Sequence, residues 1–373
     1  MKSEWKECTL SELGDIVGGA TPSTKDESNY GGNIAWITPK DLSTLNGRFI
    51  AHGERSITER GLNSCSAQMM PANTVLFSSR APIGYVAISK NPVCTNQGFK
   101  SLVPNSDNDP MFLYYLLKYN RNAIEAMGSG TTFKEVSGTT MRNIRVRVPV
   151  NRAEQEQIAS VLSVLDDKIE INCEINDNLQ QQIFALFQAE YQYPKDNEVW
   201  QNGCIGDVVN LQRGYDLPKD KVINGNYPVA GSTDTIAYHA DFSTEPPCIV
   251  MGRSGNIGNP RLYLQRCWAH NTTLFSKEYK NSNPYWVYAM LKFIDYSQFQ
   301  GGSAVPTLNR NHVHAFSIDI PPKAKQDKFG KFASTFFNMI IKNDEESKNL
   351  CSIRDSLLPK LMSGEIDVSN IQL

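Results

Sequence analysis

The chain repeats itself, and this duplication constrains its fold more than any other feature of the sequence. The segment that begins at Trp5 is echoed by the segment that begins at Trp200. Further short matches follow in the same order: VLFSSRAPIG (75–84) with CIVMGRSGNIG (248–258), CTNQGFKSL (94–102) with AHNTTLFSK (269–277), FLYYLLK (112–118) with WVYAMLK (286–292), and NIRVRVP (143–149) with HAFSIDIP (314–321). Because this order is kept throughout, the sequence predicts two copies of one domain, each followed by a further segment.

The repeat also predicts which residues are equivalent in the two domains. It pairs the Gly-Asp dipeptide at 14–15 with the one at 206–207. It places Arg80 opposite Arg253, since each follows an apolar strand-like run and precedes a turn that contains glycine. We therefore expect Arg80 and Arg253 to occupy the same place in their respective domains.

A heptad pattern follows each domain, with seam positions that alternate in steps of four and three residues. In the first segment the seam consists of Ile158, Leu162, Leu165, Ile169, Asn172, Asn176, Leu179, Ile183 and Leu186. In the second segment it consists of Phe329, Ala333, Phe336, Ile340, Asn343, Ser347, Leu350, Arg354 and Leu357. A period of 3.5 residues over four heptads is typical of a coiled coil, and a helix of this extent is roughly 45 Å long.

The simplest assembly pairs these two helices with each other inside one chain. The seam residues expected to hold the pair are Ile158, Leu162, Leu165, Ile169, Asn172, Leu179, Phe329, Phe336, Ile340, Asn343 and Leu350. If Asn172 faces Asn343, the polar contact fixes the register of the two helices at some cost in stability. The alternative is that each asparagine is a solvated break in the apolar stripe. Arg354 and Ser347 interrupt the second seam, so the pairing need not be uniformly tight.

The expected fold class is α+β. Two repeated mixed α/β domains are separated by two long helices that form an antiparallel intramolecular coiled coil with pseudo-two-fold symmetry. The predicted boundaries are 1–150 for the first domain, 151–195 for the first helix, 196–321 for the second domain, and 322–373 for the second helix and C-terminal tail.

No recognisable catalytic motif is present in the sequence. It lacks a Gly-rich phosphate loop, a dinucleotide fingerprint and a GxSxG nucleophile motif. The eight cysteines are scattered without a CxxC pair, which disfavours disulfides and structural zinc. His312 and His314 have no acidic or thiol partner at a suitable spacing, so ordinary packing is favoured over a metal site. These features favour a recognition module that is not an enzyme and holds no metal.

The chain carries no apolar run of the ~18 residues that a membrane span requires, and its N-terminus lacks an apolar signal segment. A cytoplasmic location with reduced thiols is therefore expected. Charge is unevenly distributed, because residues 151–199 hold ten acidic and only three basic residues. An acidic helix would be repelled by DNA, so it suits a protein partner or a spacer, or is simply a solvated helix face.

Two segments carry a specific family resemblance. EQEQIASVLSVLDDKIEINCEINDNLQQQIFALF (154–187) resembles a conserved helix of the specificity subunit of Type I restriction-modification systems. NLCSIRDSLLPKLMSGEIDV (349–368) resembles the C-terminal conserved region of the same subunit. The opening of the chain, Trp5 with Leu10, Leu13, Gly14 and Asp15, is also similar to the start of its target-recognition domains. The resemblance covers the whole chain in the order domain, helix, domain, helix.

The resemblance implies a non-catalytic subunit of a DNA methyltransferase and restriction complex. Each domain would read one half of a bipartite target in double-stranded DNA, and the helices would set the half-site spacing and dock two modification (methyltransferase) subunits. Restriction subunits would complete the complex. S-adenosylmethionine, ATP and Mg would be bound by the partner subunits and none of them by this chain. Two alternatives remain: the recognition polypeptide of a related nuclease-methyltransferase with a fused catalytic subunit, and a two-headed protein-interaction scaffold without DNA binding.

Polar and basic residues in the loops between strands are the candidates for DNA contact, because Lys and Arg neutralise phosphates and Arg, Lys, Asn and Gln read base edges. In the first domain they are Thr38, Lys40, Ser78, Ser79, Arg80, Asn96, Gln97, Lys100, Thr131, Thr132 and Lys134. In the second domain they are Ser232, Thr233, Arg253, Ser254, Asn256, His270, Asn271, Thr307, Asn309 and Arg310. Arg80 and Arg253 are the leading pair. The alternative for each is a structural arginine paired with a carboxylate of its own domain.

Overall fold

The structure is a computed structural model that describes residues 4–130, 134–195, 198–299 and 307–368. Of the predicted DNA contacts, Thr131 and Thr132 lie outside the described residues. The chain divides into two compact units, Met1–Glu174 with Asn343–Leu373, and Ile175–Lys342. Each unit contains one globular domain and parts of both long helices.

The first domain is built on three small sheets. Its strands are β1 (Trp5–Thr9), β2 (Gly14–Gly18), β3 (Tyr30–Ile37), β4 (Phe49–Ile50), β5 (Ser56–Ile57), β6 (Val75–Phe77), β7 (Val86–Ser89), β8 (Cys94–Thr95), β9 (Lys100–Pro104) and β10 (Arg145–Pro149). Its helices are α1 (Leu10–Leu13), α2 (Pro39–Ser43), α3 (Glu59–Asn63), α4 (Pro110–Tyr119), α5 (Arg121–Ala126) and α6 (Gly138–Arg142), and the long helix α7 (Arg152–Glu190) follows. The strand orders are β2-β9-β6-β7-β4, β5-β3-β8 and β1-β10.

The second domain has the same kind of construction. Its strands are β11 (Gln201–Cys204), β12 (Asn210–Arg213), β13 (Tyr227–Ala230), β14 (Thr235–His239), β15 (Cys248–Gly252), β16 (Gly258–Tyr263), β17 (Trp268–Ala269), β18 (Thr273–Glu278) and β19 (Ser317–Ile320). Its helices are α8 (Ile205–Val208), α9 (Pro284–Lys292) and α10 (Arg310–His314), and the long helix α11 (Lys323–Met362) follows. The strand orders are β12-β18-β15-β16, β14-β13-β17 and β11-β19.

The two domains share one topology, which confirms the predicted duplication. The order β2-β9-β6-β7 of the first domain recurs as β12-β18-β15-β16 in the second. The parallel pair of β3 with β8 recurs as β13 with β17. The buried helices α4 and α9 each begin at a proline that follows an N-cap, and the caps are Asp109 and Asn283. Asp and Asn are preferred N-cap residues, and proline is favoured at the first helical position, which explains why both helices begin where they do.

The predicted pairing of residues 14–15 with 206–207 is wrong. The Glu12 carboxylate accepts a hydrogen bond from the Thr9 amide (2.9 Å), and the Asp207 carboxylate accepts one from the Cys204 amide (2.8 Å). Each is the carboxylate of a capping box at the start of a short helix. Asp207 is thus equivalent to Glu12 and not to Asp15, although both Asp15 and Asp207 follow a glycine.

A buried glutamine ties the start of each long helix to the domain before it. The Gln155 carbonyl oxygen accepts from the Asp109 amide (2.9 Å), and its amide group donates to the Pro149 carbonyl (3.2 Å). Gln326 makes the same pair of contacts in the second unit, with the Asn283 amide (3.0 Å) and the Pro321 carbonyl (3.0 Å). The first turn of the helix, the last strand and the cap of the buried helix are therefore joined at one point in both units.

The long helices pack against each other within each unit, in antiparallel directions. In the first unit, Ile158 and Leu162 near the start of α7 share a core with Leu361 near the end of α11. In the second unit, Ile183 near the end of α7 shares a core with Phe329 near the start of α11. This confirms the predicted antiparallel packing of two helices of one chain.

The seam residues differ from the heptad prediction at several positions. The buried residues on the two helices include Asp166, Phe187 and Phe337, which the pattern did not place on the seam. The predicted seam residues Leu165, Ile169, Phe336, Asn343 and Leu350 are only half-buried. Each helix also packs on the domain before it, so its buried face is wider than a narrow coiled-coil stripe.

Polar seam residues are paired. The buried Asp166 accepts from Arg354 Nη1 (2.5 Å) and from the Tyr115 hydroxyl (2.6 Å). Burial by itself would lower the pKa of the Arg354 guanidinium. The hydrogen bond to Asp166 and the negative charge of Asp166 outweigh this effect, so the pKa of Arg354 is raised. The arginine that interrupts the predicted seam is therefore the partner of a buried carboxylate.

Asn172 is completely buried, so it is not a solvated break in the stripe. Its amide nitrogen donates to Glu346 Oε2 (2.8 Å) and to the Ser347 hydroxyl (3.2 Å), and it lies 3.4 Å from the Asn343 carbonyl oxygen. The asparagine faces α11 as expected, but it bonds to the Asn343 backbone and to two neighbouring side chains. These directional bonds can be made in one helix register only.

Replacing Asp166 with alanine should destabilise the protein by about 3 kcal/mol. The buried Tyr115 hydroxyl would lose its acceptor, and the half-buried Arg354 would keep only the exposed Asp355 as a carboxylate partner. Urea unfolding followed by tryptophan fluorescence measures this loss. The matched control is Glu156→Ala, which removes the exposed Arg152–Glu156 pair on α7 and should cost less than about 0.5 kcal/mol. Equal losses of stability in the two variants would show that Asp166 contributes no more than the carboxylate of an exposed ion pair.

Candidate nucleic-acid interface

Four loops of the first domain meet at one place, which we call the first loop hub. Its four backbone hydrogen bonds run from the Ala20 amide to Thr95 O (3.0 Å), from Asn96 to Ile37 O (3.0 Å), from Ser79 to Gly98 O (2.7 Å), and from Val136 to Ser79 O (2.9 Å). The bonds join the loops that follow β2, β6 and β8 and the loop before α6 to one another and to the end of β3. The sheet edge thus holds several loops in fixed positions, as a recognition surface requires.

The second domain contains the same arrangement, which we call the second loop hub. Its bonds run from the Tyr215 amide to Ala269 O (2.8 Å), from His270 to Ala230 O (3.1 Å), from Arg253 to Thr272 O (2.8 Å), and from Leu308 to Arg253 O (2.7 Å). Each of these bonds has its counterpart in the first hub. The duplication therefore extends to the connections between loops, which hold the candidate binding residues.

A glycine allows two loops to approach closely in each hub. A Cβ atom on Gly19 would lie 2.2 Å from both Thr95 O and Asn96 O. A Cβ atom on Gly214 would lie 2.1 Å from His270 O. Both distances are far below van der Waals contact, so the loops can meet only because these positions lack a side chain.

The hub bonds correct the predicted equivalence of Arg80 and Arg253. The amides of Ser79 and Arg253 donate corresponding hub bonds, and their carbonyl oxygens accept corresponding hub bonds. These two residues are therefore equivalent. Arg80 instead corresponds to Ser254, because Arg80 bridges Glu135 and Ser254 bridges Thr307. The alignment was one residue out of step, and in extended chain a shift of one residue turns the side chain to the opposite face.

A group of cations surrounds the first hub. Arg80 Nε lies 2.9 Å from Glu135 Oε2, and Lys100 Nζ lies 3.5 Å from the other oxygen of the same carboxylate. Lys134 precedes Glu135 and is exposed. Arg121 packs over Gly84. Among these side chains the cations outnumber the carboxylate of Glu135, which favours the binding of an anionic ligand.

Four of the candidates in the first domain have structural roles. The Thr38 hydroxyl donates to Asp41 (2.7 Å) in a capping box. Ser78 and Ser79 are completely buried, and their hydroxyls donate to the carbonyl oxygens of Pro82 and Gly98. The Asn96 side chain accepts from the Gly98 amide (2.9 Å). The two serines are inaccessible to a ligand in this conformation, so the expectation that they contact DNA is wrong for this structure.

The remaining first-domain candidates reach the surface. Lys40 is exposed and pairs with Glu54 (2.5 Å), an ion pair that water largely screens. Gln97 is exposed and accepts a hydrogen bond from the Thr21 hydroxyl. Lys100 is half-buried, and Arg80 and Lys134 are exposed.

In the second domain, several candidates are held by neighbouring side chains. His270 Nδ1 lies 3.0 Å from the Thr272 hydroxyl, and Asn271 donates to Asp216. Asn309 caps α10 by accepting from the Asn311 amide (2.9 Å). These contacts fix the loops and leave part of each side chain accessible, since His270 and Asn271 are half-buried and Asn309 is exposed.

The other second-domain candidates are accessible to different extents. Ser232, Arg253 and Ser254 are half-buried. The exposed ones are Thr233, Asn256, Thr307 and Arg310. Because Arg253 takes the position of the buried Ser79, it is a weaker candidate for base contact than the sequence suggested.

His314 has a packing role. Its Nε2 accepts a hydrogen bond from the Leu211 amide (2.9 Å), so that nitrogen carries no proton. Burial, with the nearby charges of Arg310 and Lys280, lowers the pKa of His314 and favours the neutral ring. Within the described ranges, no three His, Cys, Asp or Glu side chains are grouped to hold a metal ion. Over the same residues, no helix has the length and apolar character of a membrane span.

Sequence reasoning missed Glu135 and the two hub glycines. Glu135 was not among the predicted contacts, although its carboxylate faces the leading candidate Arg80. Gly19 and Gly214 lie the same distance after the carboxylates Glu12 and Asp207, so a corrected alignment would have paired them. Their close contacts involve residues far away in the sequence, and no local pattern signals such contacts.

Comparison with known proteins identifies the class. The type I restriction modification DNA specificity domain matches this chain twice, over residues 2–181 and 197–350. The chain therefore belongs to the family of type I restriction-modification specificity subunits. Members of this family are non-catalytic components of restriction-modification complexes, and this chain is of that kind.

Individual relatives agree with this assignment. The type I restriction enzyme MjaIX specificity subunit of Methanocaldococcus jannaschii is 31% identical over 410 residues, which cover 99% of this chain and 95% of the relative. The EcoR124I/EcoR124II specificity subunit of Escherichia coli is 29% identical over 200 residues, 52% of this chain and 47% of the relative. The crystal structure of an S subunit from M. genitalium superimposes with a TM-score of 0.59 at 21% identity over 96% of each chain, which shows a shared fold.

Alanine at Gly19 or Gly214 should destabilise the protein by about 1–3 kcal/mol, because the added methyl group forces two loops apart. The matched control is Gly18→Ala, whose Cβ would have no neighbour closer than 3.9 Å. Urea unfolding compares the three variants. If Gly19→Ala proves as stable as Gly18→Ala, the hub tolerates a side chain and its close approach is not a constraint.

Proposed function

We propose that this chain reads a bipartite target in double-stranded DNA, with one loop hub on each half-site. The observation that supports this most is the hub itself, because the same four hydrogen bonds hold the candidate loops in both domains. Two equivalent scaffolds with different exposed side chains suit two half-sites of different sequence. A protein with one binding site would not need the second copy.

The exposed side chains of the hubs supply both kinds of DNA contact. Lys134 in the first domain and Arg310 in the second are exposed cations that suit phosphate groups. Gln97 and Asn256 are exposed amides that suit base edges. Phosphate contacts would set the position of each domain on the duplex, and amide contacts would carry sequence preference.

The long helices would dock two modification subunits, with restriction subunits joining them. On α7, Val164 and Ile171 lie two turns apart and are 50% and 49% exposed. An exposed apolar stripe on an acidic helix favours a protein partner over DNA. The chemistry would then belong to the partners, which would hold S-adenosylmethionine, ATP and Mg, while this chain supplies recognition.

Methylome sequencing of a host that expresses this chain with its modification subunits tests the proposal. The expected result is one methylated-adenine motif made of two specific half-sites separated by a spacer of fixed length. A host without this chain is the control. A single continuous motif, or methylation that is independent of this chain, would reject the proposal that each hub recognises one half-site.

Duplex binding separates DNA reading from a protein-only scaffold. The affinity of the complex for a duplex with the target should fall steeply as salt rises, since phosphate contacts release counterions. The control is the modification subunits alone. Assembly with those subunits but no gain of affinity for the target duplex would make the chain a scaffold.

Adding one heptad to both long helices should change the half-site spacing and leave the half-sites unaltered. Insertions after residues 174 and 342 keep the seam in phase and lengthen each helix by roughly 10 Å, equivalent to about three base pairs. The spacing is read from the methylome. Insertion of two residues at both places is the control, because it rotates the seam by about 200° and should abolish activity. Intact methylation at the original spacing after heptad insertion would reject the helices as a ruler.

A further inference from the structure

Two residues face each other across each loop hub, at equivalent positions of the repeat. In the first domain they are Arg80 and Glu135, which form an isolated antiparallel bridge. In the second domain Ser254 and Thr307 form the same kind of bridge. The backbone is therefore the same in both places, whereas the side chains change from a charged pair to two hydroxyl groups.

The charged pair is accessible from outside the domain. Arg80 and Glu135 are 45% and 34% exposed. Across the residues that the structure describes, the side-chain contact of Arg80 is the ion pair through Nε. The two terminal nitrogens of the guanidinium can therefore donate to a ligand while the ion pair stays in place.

The hub holds Glu135 from its other side as well. The backbone of Glu135 also bridges Ser129, with hydrogen bonds of 3.0 and 2.9 Å in the two directions. Lys100 Nζ lies 3.5 Å from Oε1 of Glu135 and holds the carboxylate in place. The carboxylate and the guanidinium are thus presented side by side at a fixed place on the hub.

We propose that this pair of positions determines which base pair each domain reads, and that Arg80 with Glu135 reads a G·C pair. The inference rests on the proposed function, since it names the specificity element of the same hubs. In the major groove, guanine offers the O6 and N7 acceptors that suit the terminal nitrogens of an arginine. The cytosine paired with it offers an N4 amino donor that suits a carboxylate. Arg80 and Glu135 together thus match both bases of one pair.

The second domain carries a different reader at the same place. The hydroxyls of Ser254 and Thr307 can both donate and accept, so they select a base pair less strictly than a charged pair does. The two half-sites should therefore differ in a defined way. The position read by the first hub is a strict G·C pair, and the equivalent position of the second half-site is less strongly specified.

Three variants of the full chain test this, each studied with its modification subunits. Arg80→Lys keeps the charge but loses the planar fork. R80E/E135R keeps an ion pair but exchanges the two groups. S254R/T307E places the charged pair on the second hub. The control is R60S/D26N, which removes another exposed ion pair of the first domain.

Binding is measured on duplex libraries in which one half-site is randomised and the other is fixed. Arg80→Lys should lower discrimination at one G·C position of the first half-site by at least about tenfold, without changing the second half-site. R80E/E135R should alter the preferred base pair at that same position. S254R/T307E should create a G·C preference in the second half-site only. The control variant should keep both half-sites.

Failure of the inference and failure of the proposed function give different results. If the unaltered complex shows no half-site preference, the proposed function fails. If it reads two half-sites but Arg80→Lys and R80E/E135R keep the original first half-site at full discrimination, the pair is only structural and the inference is overturned. Uniform weakening on all sequences would also overturn it, because Arg80 would then be a phosphate contact.

Discussion

A buried glutamine side chain fixes the start of each long helix against the domain before it. Gln155 and Gln326 each bond to a helix cap and to the proline at the end of, or directly after, the last strand, so the start of the helix is held in one position. A buried amide left unpaired would cost the free energy of its lost hydration, which disfavours other placements. The direction of the helix, and therefore which of its side chains meet the opposite helix, depends on this junction.

The packing of the long helices is stabilised by different chemistry in the two units. In the first unit, the buried Asp166 of α7 accepts hydrogen bonds from the half-buried Arg354 of α11 and from Tyr115 of α4. Arg48, also buried, reaches Glu170 of α7 (2.9 Å) and holds a loop of the first domain against the helix. In the second unit the contacts are aromatic, and the rings of Phe187 and Phe329 lie 5.5 Å apart. Apolar packing supplies stability there, whereas the charged contacts of the first unit require one specific geometry.

The loop hubs separate the scaffold from the residues that would read DNA. The backbone bonds and the glycines at 19 and 214 are the same in both domains, while the outward side chains differ. Arg80 and Glu135 in one domain stand where Ser254 and Thr307 stand in the other. If the hubs bind DNA as proposed, target preference can change through a few exposed side chains while the packing of the domain stays as it is. This arrangement suits a subunit whose task is recognition and whose partners carry out the reaction.

The sequence by itself determined the large-scale plan, because apolar periodicity and duplication are properties of residue order. It predicted two domains of one topology, two long helices and their antiparallel packing, and it led to the family. Only the tertiary structure decided the equivalence of Arg80 with Ser254, the burial of Ser78 and Ser79, and the pairing of Asp166 with Arg354. Each of these depends on contacts between residues distant in the chain, where a shift of one residue turns a side chain to the other face. Local pattern does not contain that information, whereas the hydrogen bonds between loops do.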